Sequence, residues 1–292
     1  MNAFLFAMTP AASEPGDWAL WTVAFCLGAS VGSFLNVCIH RIPADESVVR
    51  PSSRCPACRA PIAWYDNVPI VSWLLLRARC RRCGAAIAAR YPFVEATTGA
   101  LALLALWRFG PTPTSLVAFV FTAALLLITF VDFDHFFIPD EVSLPGILVG
   151  LALAALLPDG IGLANAALGA ALGGGILWIV AWSYEHATGT EGMGLGDVKL
   201  LAMIGAFLGW QAIPMVLIVA SLTGSLAGVL VMFAPAGRRQ IREVRRRLGW
   251  RAVPTFVRRA ARRTAIPFGP FLALGALLAL YAPVGTIPLR FG

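Results

Sequence analysis

Residues 192–200 read GMGLGDVKL, and apolar segments flank them on both sides. A carboxylate, Asp197, thus stands where the chain is otherwise leaving water. Charge at membrane depth is costly and is read by default as functional, so the fold turns on whether the flanking segments are spans. Of the 292 residues, 59% are hydrophobic and 13% charged, with mean hydropathy +0.78. A soluble domain carries about a quarter charged residues. The composition therefore reads as an all-α polytopic membrane protein. The opening MNAFLFAMTPAASEPGDWALW has no basic n-region and no clear cleavage site, so it reads as a short tail before the first span.

Apolar windows predict eight spans, at about 18–38, 93–110, 114–131, 142–157, 161–183, 198–209, 212–233 and 266–283. Several are shorter than the roughly 20 residues of a full crossing. Charge gives an independent check. Of 23 Lys+Arg, nine lie between Arg41 and Arg90 and eleven between Arg238 and Arg263. Eight alternating spans place both basic loops on one side, which the positive-inside rule makes cytoplasmic. The net +8 then reflects orientation and contact with anionic lipid, and no nucleic-acid partner is needed. The expected organisation is a tail and first helix at 1–39, a small cytoplasmic domain at 40–92, and a transmembrane domain at 93–292 with a basic loop at 237–264. That loop reads either as an amphipathic helix on the inner leaflet or as a solvated loop fixing orientation. The run LGAALGGG at 168–175 reads as a small-residue packing surface.

The loop domain holds CPAC at 55–58 and CRRC at 80–83. Paired CxxC knuckles at this spacing predict that Cys55, Cys58, Cys80 and Cys83 close a tetrahedral thiolate site, for zinc above all. A segment of this size has too small a core to fold comfortably alone, so a structural metal is expected. Disulfides are the rival reading, and a reducing cytoplasm opposes them. Four thiolates leave no open position for hydrolysis. Cys26 and Cys38 read as small core residues, and His40 as an interfacial residue ending the first span.

Asp132, Asp134, Asp140 and Glu141 cluster after the third span, and Asp197 opens the sixth, at the same membrane face. Asp132 and Asp197 can then form an aspartyl dyad, one carboxylate taking a proton from water while its protonated partner bonds the substrate carbonyl. Residues i and i+2 point about 200° apart on a helix, so only one of Asp132 and Asp134 can serve. Gly194 and Gly196 would let a peptide backbone approach the carboxylate. Lys199 is grouped with them as site support, as is Glu95, which lines the site or caps the second span. The macrodipoles favour an ionised Asp197 at a helix N-terminus and a protonated Asp132 at a helix C-terminus. Asp134, Asp140 and Glu141 also read as interfacial topology markers. A proton-coupled transporter uses similar residues, but its site lies near the midplane. A metal-dependent protease needs an open metal site, and no HExxH motif is present among three histidines.

Six blocks in order, GSFLNVCIHRIP at 32–43, CPACRAPIAWYDNVPIVSWLLLRARCRRC at 55–83, RYPFVEATTG at 90–99, DFDHFFIPD at 132–140, GMGLGDVKL at 192–200 and IPFGPFLALG at 266–275, resemble the type IV prepilin peptidase (prepilin leader peptidase/N-methyltransferase) family of GxGD membrane aspartyl proteases. The resemblance maps the two catalytic aspartates onto Asp132 and Asp197. It implies cleavage of the leader of type IV prepilins or type II secretion pseudopilins at the bacterial inner membrane. It implies also N-methylation of the new N-terminus with S-adenosylmethionine, or cleavage alone where methylation is unused. Cys38, His40 and Ala78 depart from the family's usual valine-like, tyrosine-like and glycine residues. Because basic loops repel a basic leader, the acidic cluster at 132–141 is the expected docking surface, with Asp140 and Glu141 the residues whose charge reversal tests it.

Overall fold

In the computed structural model, described for residues 18–157, 160–189, 194–233 and 267–282, helices occupy all eight apolar windows. They are α1 (Trp18–Arg41), α3 (Arg90–Phe109), α4 (Pro113–His135), α5 (Asp140–Leu156), α6 (Leu163–Thr188), α7 (Leu195–Leu208), α8 (Ile213–Phe233) and α9 (Gly269–Tyr281), with a short α2 (Val71–Leu75) between α1 and α3. Four are long and apolar enough to cross a membrane: α1, α4, α6 and α8. The N-terminal tail and the basic loop 237–264 lie outside the described residues. No strand occurs among the described residues, where two isolated bridges, Arg54 with Pro61 and Arg79 with Ala86, are the β pairings.

The chain divides into two compact units, the first containing α1 to α3 and α4 through Val131, the second running from Asp132 through α5 to α8 and most of α9. In the first, α1 packs along α3 through small residues. A side chain on Gly28 would strike Ala102 and Gly99, and one on Gly32 would strike Glu95 and Thr98. This Gly-x3-Gly spacing lets two backbones approach where lipid offers no hydrophobic drive. Asn36 adds a bond from Nδ2 to the Tyr91 carbonyl at 3.1 Å. Cys38 is buried as expected, but Cys26 is exposed; it points away from the face packed on α3. His40 is exposed in the last turn of α1. The cysteine segment joins α1 and α3 in this unit and does not form one of its own.

In the second unit α7 is apolar nearly all round, the pattern of a helix enclosed by others. Leu200, Leu201, Met203, Ile204 and Ala206 are all buried. The small-residue run in α6 makes this possible. Gly169 of α6 meets Gly205 of α7 backbone to backbone, Gly173 lies against Leu201, and on the other helix Gly150 of α5 lies against Ala206. Gly205→Val would drive a side chain into the α6 backbone, which has nowhere to go. We expect it to destabilise the fold by about 3 kcal/mol, the upper part of the overpacking range, read as a lowered Tm in detergent.

Candidate active site and cysteine cluster

Asp132 lies in the last turn of α4, where Phe136 closes the helix with its N–H on the Asp132 carbonyl at 2.9 Å. Its side chain is 5% exposed, whereas Asp134, two residues on, is exposed. Asp132 Oδ2 accepts a 2.9 Å bond from the backbone N–H of Gly269, the first residue of α9. A Cβ on Gly269 would stand 2.6 Å from that oxygen, so only glycine permits the approach. Asp197 sits half-buried in the first turn of α7, behind Gly194 at the N-cap.

Ile138, buried in the turn between α4 and α5, joins the two places. A Cβ on Gly196 would fall 3.0 Å from Ile138 Cβ, and one on Gly269 would fall 3.4 Å from Ile138 Cδ1. Through Ile138 the residue that holds Asp132 and the residue preceding Asp197 are brought together. Three helix ends thus converge: the C-terminus of α4 and the N-termini of α7 and α9. The dipole expectation was drawn from two of them. The α9 N-terminus also faces Asp132 and offsets the α4 dipole, so the helix dipoles no longer assign the proton to Asp132.

The support residues divide. Gly194 has open space where a side chain would be, but the bare Cα of Gly196 is occupied by Ile138. Lys199 Nζ holds both carboxylate oxygens of Asp140 at 2.7 Å, tying the start of α7 to the start of α5. Asp140 is therefore a paired charge, which weakens its expected part in a docking surface. Glu95 is neither cap nor terminal. It lies a turn and more inside α3, 8% exposed, and its Oε2 accepts the Ile70 N–H at 2.7 Å. Sequence reasoning assigned no role to Gly269 or Ile138. A backbone donor has no residue signature, although the Gly-Pro opening of an apolar helix marks where α9 starts.

The cysteine knuckles repeat one geometry. Cys55 N–H bonds the Ala60 carbonyl and Cys80 N–H the Ala85 carbonyl, while Arg59 and Gly84, each just after the second cysteine of its pair, take positive φ and return an N–H to Cys55 and Cys80. The four sulfurs lie within 4.8 Å of one another. A tetrahedral site with metal–sulfur bonds of about 2.3 Å sets its sulfurs about 3.8 Å apart, and Cys55 Sγ and Cys83 Sγ are 3.8 Å apart. The residues fit a metal ion. Backbone N–H groups of Cys58 and Ala57 draw the Cys55 thiol down to about 6, while at Cys83 the lowering bond from the Ala85 backbone is outweighed by desolvation and by the other sulfurs, which push it up to about 11. Beside the cluster Arg81 grips Asp66 with two bonds of 2.7 and 2.8 Å, holding that carboxyl below its ordinary range.

Two converging aspartates on apolar helices in the second unit, and a four-cysteine insert in the first, define a helical membrane protein with acid–base capacity. Comparison with known proteins agrees. Residues 26–109 match the Bacterial Peptidase A24 N-terminal domain and residues 119–229 the Type IV leader peptidase family. A protein of Aeromonas hydrophila named prepilin leader peptidase/N-methyltransferase is 37% identical over 287 residues, covering 90% of this chain and 91% of its own. One of that name from Pseudomonas aeruginosa is 37% identical over 297 residues, 92% of each. Another from Myxococcus xanthus is 46% identical over 214 residues, 72% of this chain and 62% of its own length. No solved structure matches the chain. The chain belongs to the type IV leader peptidase family.

Proposed function

We propose that this chain cleaves the leader of type IV prepilins or type II secretion pseudopilins with the Asp132–Asp197 pair and then N-methylates the new terminus. The observation that carries the reading is the meeting of Asp132, Gly269, Ile138, Gly196 and Asp197 in one unit; family membership supplies the reaction class. All eight windows cross the inner membrane in this reading. The cysteine domain at 40–92 and the aspartates are cytoplasmic, as the positive-inside rule requires. The peptidase domain is 93–292.

In hydrolysis the ionised member of the pair takes a proton from water, and the oxygen adds to the scissile carbonyl. The protonated member bonds the carbonyl oxygen and stabilises its developing charge. Collapse of the tetrahedral adduct breaks the C–N bond as a carboxyl proton passes to the leaving nitrogen. Gly269 holds Asp132 Oδ2 and leaves Oδ1 for this chemistry. A prepilin anchored by its own apolar helix presents its leader at this face without extraction from the bilayer.

S-adenosylmethionine, when bound, supplies an electrophilic methyl group. A cavity of about 280 Å³ lined by Ser30, Ser33, Phe34, Arg41, Ser53 and Asn67 offers hydroxyl, amide and aromatic groups of the kind such a donor takes, and these residues would hold it. Zinc is the metal we assign to the four cysteines, in a closed structural site.

The reading is tested by membranes carrying the full chain, given a prepilin and labelled S-adenosylmethionine, with cleavage read by mass and methyl transfer on a precleaved substrate. Neither product would end it. The same assay weighs Asp140. Asp140→Lys should lower kcat by roughly 2- to 5-fold, the scale of a partly exposed ion pair, and adding Lys199→Asp should restore it. A rise in KM with kcat unchanged would instead return Asp140 to leader docking.

A further inference from the structure

We propose that α2, with Trp64 and Val68 before it, is an amphipathic anchor that seats the cysteine domain in the headgroup–acyl boundary of an anionic bilayer. The inference rests on the membrane reading above. Three observations carry it.

The first is an apolar surface with no protein over it. Val71, Leu74 and Leu75 share one face of α2 by their i, i+3, i+4 spacing, and they are 49%, 61% and 78% exposed. Trp64, at 83%, and Val68, at 41%, extend the surface. A small domain in water would turn such residues inward, and contiguous exposure of this kind marks an interaction site.

The second is depth. α1 is long and apolar enough to cross a membrane, and Gly32 of α1 lies against Glu95 of α3. Gly32 is nine residues short of Arg41, about 14 Å at 1.5 Å per residue. The Glu95 carboxylate, at that level, accepts the Ile70 N–H, one residue before α2. Ile70 has φ +62, a costly conformation for a β-branched residue that persists only where its surroundings impose it. The bond therefore draws the start of α2 down beside α3, within a side-chain length of a residue well inside the first span. Apolar groups exposed at that depth meet lipid.

The third is charge. Between α1 and α3 stand Arg50, Arg54, Arg59, Arg77, Arg79, Arg81 and Arg82, all exposed, against three acidic residues, Asp45, Glu46 and Asp66. Exposed arginines in the segment that carries this apolar face suit an anionic lipid surface. They repel the basic leader of a prepilin, and they repel a second copy of the same face.

The test places photoreactive benzoylphenylalanine at position 74, 75 or 226 of the full chain. Leu226 is exposed on α8, a helix of spanning length, and serves as the lipid-facing reference. The protein is reconstituted in phosphatidylethanolamine vesicles with or without phosphatidylglycerol, irradiated with a prepilin present, and adducts are identified by mass. Phospholipid adducts at 74 and 75, with phosphatidylglycerol taken severalfold above its share of the lipid, are expected. Prepilin adducts, adducts between two copies, or no lipid adduct at 74 and 75 while 226 labels would overturn the inference. Failure at all three positions would overturn the membrane reading with it. Glu95→Ala, which frees Ile70, should lower lipid labelling at 75 severalfold, and Glu95→Gln, which keeps an acceptor, should preserve it. Equal labelling in both would remove Glu95 from the anchor.

Discussion

Asp132→Asn and Asp197→Asn should each lose prepilin cleavage by about 10³-fold or more, while Asp134→Asn should keep it within a few-fold. Asparagine matches aspartate in shape but neither takes a proton from water nor lends one to a carbonyl, and positioned acid–base groups contribute 10²- to 10⁴-fold each. The two losses should not multiply in the double variant, because a pair that shares one proton acts as a unit. Asp134 is exposed, on the face of α4 turned from the pair, and carries no such burden. The wild-type rate should trace a bell against pH, since one carboxyl must be charged and one neutral. Methyl transfer to a precleaved substrate should survive both catalytic substitutions. If either single variant cleaved at the wild-type rate, the aspartyl mechanism would be wrong.

Loss of the zinc proposed for the four cysteines is expected to have the second largest effect, and to act on stability. One zinc per chain is expected by elemental analysis, and Cys55→Ser or Cys83→Ser should weaken its binding by about 10²-fold or more, since structural zinc sites supply on the order of 10 kcal/mol of folding free energy. Ligation needs thiolates. With Cys83 held up at about 11 and Cys55 drawn down to about 6, binding at neutral pH must displace protons, Cys83's among them. Affinity therefore falls as pH falls, most steeply once Cys55 also protonates. A chelator added at the moment of assay should leave the initial cleavage rate unchanged, because a closed thiolate site activates no water. Immediate inhibition would favour a metal-dependent protease.

Much of this was open to reading in the chain because it is periodic or spaced. The eight apolar windows became eight helices, and LGAALGGG became the face against which α7 packs. The CxxC pairs, 21 residues apart, announced a cluster that the sulfurs then formed. The sequence is silent where a residue's partner lies far along the chain. Nothing local to Lys199 shows that it binds Asp140. Glu95 reads as lining the site or capping the second span, and its carboxylate holds the Ile70 N–H. Gly196 reads as room for a peptide backbone, and Ile138 stands against it.

What the sequence determined by itself is the class of the protein, its helices, its four-cysteine knuckles and the opposite facing of Asp132 and Asp134, because hydropathy, helical phase and ligand spacing are local properties of a chain. What only the tertiary structure decided is how the candidate site closes. Gly269 is 137 positions from the carboxylate it holds, and a backbone N–H carries the same label in every residue but proline. Packing alone selects which one arrives.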